Sequence, residues 1–223
     1  MNRYTHWRRG LYAITDPGLL PGDKLVPAVE AALRGGVVLV QYRDKTGSDS
    51  ERLARARDLV SVCDNAQVPL LINDDATLAK RVGAAGAHLG QSDGDLRAAR
   101  EMLGPEAILG QTCHADLELA RAALENGADY LAFGRFFPSM TKPGAPAANP
   151  DILTSARTLE RPVSAIGGVS LENAPLLLAH GADLLAVIGG LFGTDDVEAR
   201  ARAFTNLFNQ TNAFSPSNEQ EPS

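Results

Sequence analysis

Cysteine is nearly missing from these 223 residues: only Cys63 and Cys113 occur, and neither sits at a metal-ligand spacing. A disulfide scaffold is thereby excluded, and a reducing, cytoplasmic setting is the expectation. No apolar run is long enough to span a bilayer. The basic start, MNRYTHWRRG, leads into LYAITDPG rather than a long apolar stretch with a small-residue cleavage site, so no signal peptide is expected. Positive charge is also scarce. With 21 Lys and Arg against 27 Asp and Glu, the net charge of −6 argues against nucleic acid and membrane as partners. A local basic pocket for a small anion is compatible with that balance.

The chain does contain enough for one globular domain, with 44% hydrophobic and 22% charged residues. The end, TNAFSPSNEQEPS, is polar and aperiodic, so a disordered tail is expected from Gln210 and a single domain over residues 1–209. One pattern recurs before that: an amphipathic stretch, a glycine stop, then a short apolar run ending in polar residues. It reads LRGGVVLVQYRD, VGAAGAHLGQSD, ENGADYLAFGR and HGADLLAVIGG. Gly35, Gly83, Gly127 and Gly181 suit left-handed helix caps. The apolar runs do not alternate, as befits parallel strands covered on both faces. Adding GLYAIT, VPLLIN, AILGQT and PVSAIG gives eight strands, with helices expected at 51–64, 116–126 and 171–180 among others. The fold class is therefore α/β, a (β/α)8 TIM barrel. An open doubly wound sheet is the alternative, but Asp16-Pro17-Gly18 after the first strand is not a dinucleotide loop.

In such a barrel the C-terminal strand ends share one face, and that face carries the chemistry. Strand 2 ends Gln41-Tyr42-Arg43-Asp44-Lys45, strand 3 Asn73-Asp74-Asp75, strand 4 at Asp93, and strand 5 at Thr112. Strand 6 runs on to Ser139-Met140-Thr141-Lys142, and strands 7 and 8 end in Gly167-Gly168 and Ile188-Gly189-Gly190. Glycine pairs let phosphate oxygens reach backbone N–H groups. Asp74 and Asp93, from adjacent strands, could share one Mg2+ that keeps several waters. Lys45, Lys142 and Arg43 supply positive charge, with Gln41, Asn73 and Thr112 as neutral hydrogen-bonding groups. The face reads as built for two anionic groups.

Plainer readings stand beside these. A glycine pair can be turn chemistry, and Asp74, Asp75 or Asp93 can cap the helix that follows. Lys45 and Arg43 can pair with acidic residues on a solvated loop. His88 fits a hydrogen-bonded core histidine better than a metal ligand, and Cys113 lacks the marks of an activated nucleophile.

Taken together, LYAITD, VQYRDK, INDD, HLGQSD, GQTCH, GADYLAFGRFFPSMTKPGAP and AIGGVS resemble the thiamine-phosphate synthase (thiamine-phosphate pyrophosphorylase) family, from Leu11 to about Phe208. The resemblance implies a (β/α)8 barrel joining hydroxymethylpyrimidine diphosphate to hydroxyethylthiazole phosphate, with thiamine phosphate and pyrophosphate as products. It places Gln41, Tyr42, Arg43, Asp44, Lys45, Asn73, Thr112 and Lys142 on the pyrimidine diphosphate. Asp74 and Asp93 would bind Mg2+; Ser139, Met140, Thr141, Gly168, Ile188 and Gly189 would bind the thiazole phosphate. Lys45, Lys142 and Thr112 take the catalytic roles. Thr112, Ser139 and Gly189 depart from residues common in that pattern, and Gly189 loses a side-chain hydroxyl. A thiazole tautomerase and a non-catalytic thiamine-phosphate binder are the rivals. Subunit number, and whether PGAPAANP is a lid or a static connection, stay open.

Overall fold

The computed structural model describes residues 4–138 and 147–212. Eight parallel strands close in sequence order, β1 pairing with both β2 and β8. They are β1 (Gly10–Ile14), β2 (Leu39–Tyr42), β3 (Leu70–Asn73) and β4 (Gly86–Leu89), then β5 (Ile108–His114), β6 (Tyr130–Phe133), β7 (Val163–Ile166) and β8 (Leu184–Val187). Around them lie α1 (Leu25–Arg34), α2 (Asp49–Asn65), α3 (Ala76–Val82), α4 (Leu96–Leu103) and α5 (Leu117–Glu125). The ring continues with α6 (Asp151–Ala156), α7 (Ala174–Ala179), α8 (Gly189–Phe192) and α9 (Val197–Asn212). The expected barrel is present, and the open sheet is not. Among the described residues no helix is long and apolar enough to cross a membrane.

Apolar side chains fill two separate cores. The larger lies between sheet and helices, where Val29, Leu59, Leu131, Leu177 and Phe204 are fully buried. The smaller fills the barrel interior with Tyr12, Ile14, Leu39, Leu71, Ile108, Tyr130 and Leu184. Tyr4 and Trp7, just before β1, join this inner core, and the Trp7 ring meets Tyr130 edge-on at 5.9 Å. The ring of Tyr130 can lie across the interior only because position 110 is glycine: a Cβ there would sit 2.0 Å from the tyrosine ring.

Local chemistry sets the helix ends, and several expectations need correction. α2 starts at Asp49, earlier than the hydrophobic pattern suggests, because Ser48 and Glu51 form a reciprocal capping box. α7 starts at Ala174, later than expected, with Pro175 in its first turn. Gly83 is a left-handed cap as expected, and Gly127 and Gly181 have positive φ. Gly35 is right-handed (φ −78°), and Gly36 takes the positive φ instead. Glycine is needed at 35 for proximity, since a Cβ would stand 2.4 Å from that of Ala201 on α9. That helix runs through Asn212, so the first three residues of the expected tail are helical; the rest lie outside the described residues.

One buried group in the barrel wall lacks compensation. Ser164 on β7 is fully buried, and its hydroxyl has no hydrogen-bond partner among the described residues. An unpaired buried hydroxyl costs about 1–3 kcal/mol. Ser164→Ala is therefore expected to raise Tm by about 2–4 °C per kcal/mol recovered, read by calorimetry. A lower Tm would show that the hydroxyl is bonded.

Candidate functional site

The C-terminal strand ends surround a cavity of about 690 Å3. From β2 and the loop after it come Gln41, Arg43 and Lys45; from the β3 and β4 ends come Asn73, Asp74, His88 and Asp93. Thr112 lines it from β5, and Gly168, Ile188 and Gly189 from beyond β7 and β8. Ten of the residues expected at the site thus converge on one space. Ser139, Met140, Thr141 and Lys142, with the first part of PGAPAANP, lie outside the described residues.

Tyr42 and Asp44 do not join them. Backbone alternation puts Gln41 and Arg43 toward the cavity and turns the two between and after them outward. The Asp44 carboxylate accepts hydrogen bonds from the Thr46 and Gly47 amides at 2.9 Å, the Thr46 hydroxyl at 3.1 Å and the Tyr42 hydroxyl at 3.1 Å. Arg55 of α2 completes the set with an ion pair at 2.9 Å. Burial opposes the Asp44 charge, but these donors prevail and bring its pKa down to about 2. Burial first, and then the charge and hydrogen bond of Asp44, push the Tyr42 phenol up. Asp44 therefore clamps the loop that carries Lys45; its carboxylate is not a cavity group.

The adjacent carboxylates Asp74 and Asp75 take different roles. Asp75 is the N-cap of α3, accepting from the Leu78 amide at 2.7 Å, and it pairs with Arg52 at 3.0 Å. Asp74 breaks the strand alternation with a left-handed backbone (φ 61°), held by its amide donating to the His88 carbonyl at 2.8 Å. That twist brings Asp74 beside Asn73 at the cavity, where Lys45 Nζ meets Oδ2 at 2.9 Å. Asp93 joins from the other side, its Oδ2 accepting from the Gly90 amide at 3.1 Å. It does not cap α4, a role that Asp95 takes. Burial raises Asp93, and contact with the Asp74 carboxylate raises it further. For Asp74, burial is outweighed by the Lys45 hydrogen bond and charge, so its carboxyl lies below the usual range.

Two carboxylates in contact, offset by one lysine, form a set of hard oxygen ligands with charge to spare. Among the described residues no group of three or more His, Cys, Asp or Glu side chains could hold a metal. The pair thus fits an ion that takes its other ligands from water and substrate, as Mg2+ does. Across the cavity Gly168 has φ 68°, and a Cβ there would stand 2.4 Å from the Pro138 carbonyl oxygen. At Gly189 nothing lies within 4 Å of an added Cβ, so the missing hydroxyl leaves open space.

Some cavity residues were given no role from sequence. Asp16 ends β1 and holds the Arg43 guanidinium at 3.0 Å; applying the strand-end rule to the first strand would have found it. Arg135, beyond β6, also lines the cavity. His88 is a hydrogen-bonded core histidine, as expected, yet it also reaches the cavity wall. Cys63 and Cys113 are buried thiols whose pKa values burial pushes up to about 12, which excludes them as ready nucleophiles.

Comparison with known proteins agrees with this geometry. The family model for thiamine monophosphate synthase matches residues 11–191. A thiamine-phosphate synthase from Marinobacter nauticus is 60% identical over 203 residues, 90% of this chain and 91% of that protein. The solved thiamine phosphate pyrophosphorylase from Pyrococcus furiosus is 30% identical with a TM-score of 0.82, covering 92% of this chain and 97% of that one. At 15% identity, (S)-3-O-geranylgeranylglyceryl phosphate synthase from Thermoplasma acidophilum (TM-score 0.66, covering 91% of this chain and 94% of that one) shares the fold alone. The chain is thus a transferase and belongs to the thiamine monophosphate synthase family.

Proposed function

We propose that the cavity joins hydroxymethylpyrimidine diphosphate to hydroxyethylthiazole phosphate in the cytoplasm, giving thiamine phosphate and pyrophosphate. The observation that carries this reading is the cluster of Lys45, Asp74 and Asp93 facing the glycine turns across one cavity. One end is suited to a metal-bound diphosphate and the other to a phosphate held by backbone amides. A tautomerase or a product-binding protein has no use for the first of these.

The pyrimidine methylene can bear positive charge, so the hard part of the reaction is the negative charge that grows on the departing diphosphate. Lys45 and Arg43 are placed to meet that charge without reorganising, and Lys142 is assigned beside them by its motif. Asp74 and Asp93 would hold Mg2+, which when bound supplies charge neutralisation to the leaving group. Asn73 from β3 and Thr112 from β5 orient the pyrimidine diphosphate, with β4 between them. Gly168, Ile188 and Gly189 seat the thiazole phosphate so that the ring nitrogen faces the methylene carbon, and Ser139, Met140 and Thr141 are assigned to the same phosphate by their motif alone. The carbon–oxygen bond to diphosphate breaks, and the carbon–nitrogen bond forms. Neither step asks a side chain to act as nucleophile.

The full-length protein, given both substrates and Mg2+, is expected to release pyrophosphate and thiamine phosphate in equal amounts, measured by a coupled phosphate assay and chromatography. Absence of pyrophosphate would overturn the reading in favour of a binder or a tautomerase.

A further inference from the structure

Five polar side chains form an unbroken hydrogen-bonded line across the barrel interior. Gln41 Nε2 donates to the Tyr12 hydroxyl, which lies 2.8 Å from the Tyr130 hydroxyl. Tyr130 in turn lies 2.8 Å from His88 Nδ1, and His88 Nε2 lies 2.9 Å from Thr112 Oγ1. The members come from β2, β1, β6, β4 and β5, and all but Thr112 are buried. Both ends of the line, Gln41 and Thr112, open on the cavity.

The orientation of the Gln41 amide, with Nε2 on the Tyr12 hydroxyl, gives the line a direction. Each phenol carries one hydroxyl proton, and burial raises both phenol pKa values, so both stay protonated. Tyr12 accepts from Gln41, and the one other partner its hydroxyl has among the described residues is Tyr130. Its proton must therefore go to Tyr130, since the reverse would leave a buried donor unpaired. Tyr130 then directs its own proton to His88 Nδ1. With Nδ1 accepting, a neutral imidazole carries its proton on Nε2 and donates to Thr112. The Thr112 hydroxyl proton is left for the cavity.

We infer that Tyr12, Tyr130 and His88 are positioning residues that hold His88 in its Nε2–H tautomer and so fix Thr112 as a donor toward the substrate. The ligand group that reaches Thr112 must then bring a lone pair. Only the identity of that ligand rests on the reaction proposed above.

The tautomer can be observed directly. Full-length protein labelled with 15N-histidine, studied by long-range proton–nitrogen correlation, is expected to show His88 protonated on Nε2 and bare at Nδ1. The signal is assigned by its loss in His88→Gln. Tyr130→Phe keeps the ring that packs on Trp7 but removes the donor to Nδ1, so the His88 pattern should change to mixed tautomers. In the same variant kcat should fall about 10-fold with KM nearly unchanged, the effect of one hydrogen bond felt in the transition state. Tyr12→Phe interrupts the line one step earlier and should shift the His88 signals in the same sense. A wild-type His88 protonated on Nδ1, or unaltered signals in both tyrosine variants, would overturn the inference. Failure to release pyrophosphate would sink the reaction instead and leave the tautomer result intact.

Discussion

Asp74→Asn is expected to cut kcat for pyrophosphate release by about 100- to 1000-fold, the range for loss of a preorganised charge contact at a developing anion. The remaining activity should need several-fold more Mg2+ for half-saturation. Asparagine suits this test because it tolerates the left-handed backbone that Asp74 adopts, so the turn should survive. Loss of the Lys45 ion pair, half-exposed on the lysine side, should change stability by less than about 1 kcal/mol. Asp93→Asn should move Mg2+ dependence in the same direction. Unaltered Mg2+ dependence in both variants would remove the metal assignment.

Asp44→Ala should have the largest effect on stability. Its side chain is 2% exposed and its Arg55 partner 30%, so alanine strands two amides, two hydroxyls and a half-buried guanidinium. Breaking a buried pair costs about 3–5 kcal/mol, and the exposure of Arg55 lowers this to about 2–3. Tm should fall by about 5–10 °C in a chain of this size. The Lys45 loop then loses its clamp, and KM for the diphosphate substrate should rise about 10-fold. If Asp44 instead touched substrate, activity would fall with Tm unchanged. Acid titration gives a second check. The folded-state pKa of about 2 is below the ordinary carboxyl value, so the folded protein takes up its proton later than the unfolded chain. The stabilisation from Asp44 is whole above about pH 4 to 5 and fades as pH falls toward 2. In Asp44→Ala that part of the acid sensitivity should vanish from calorimetric Tm values.

The barrel was legible because strands buried on both faces must be short apolar runs, and four of them follow the recurring amphipathic stretch and glycine stop. Strand ends were legible because chain direction alone places them on one rim. The error at Tyr42 and Asp44 came from treating QYRDK as one unit, when alternation separates Gln41 and Arg43 from their neighbours. The opposite exception, Asn73 and Asp74 both reaching the cavity, depends on a positive φ that aspartate merely permits. Capping needed side-chain geometry: Ser48 with Glu51 is a readable signature, but Gly35 and Gly36 look alike until Ala201 packs against the first. The line from Gln41 to Thr112 was invisible, because its members meet only when five strands curve around a common axis.

Closure between β1 and β8 also has a temporal meaning. Gly10 hydrogen-bonds at the height of Leu184, and α9 then packs over α1. During synthesis β1 emerges first and must wait for nearly the whole chain before its second neighbour exists. Until then both rims of the growing sheet offer unpaired amides and carbonyls to other chains. The seam between first and last strand is the contact of longest loop closure, and so the natural last step in assembling the barrel.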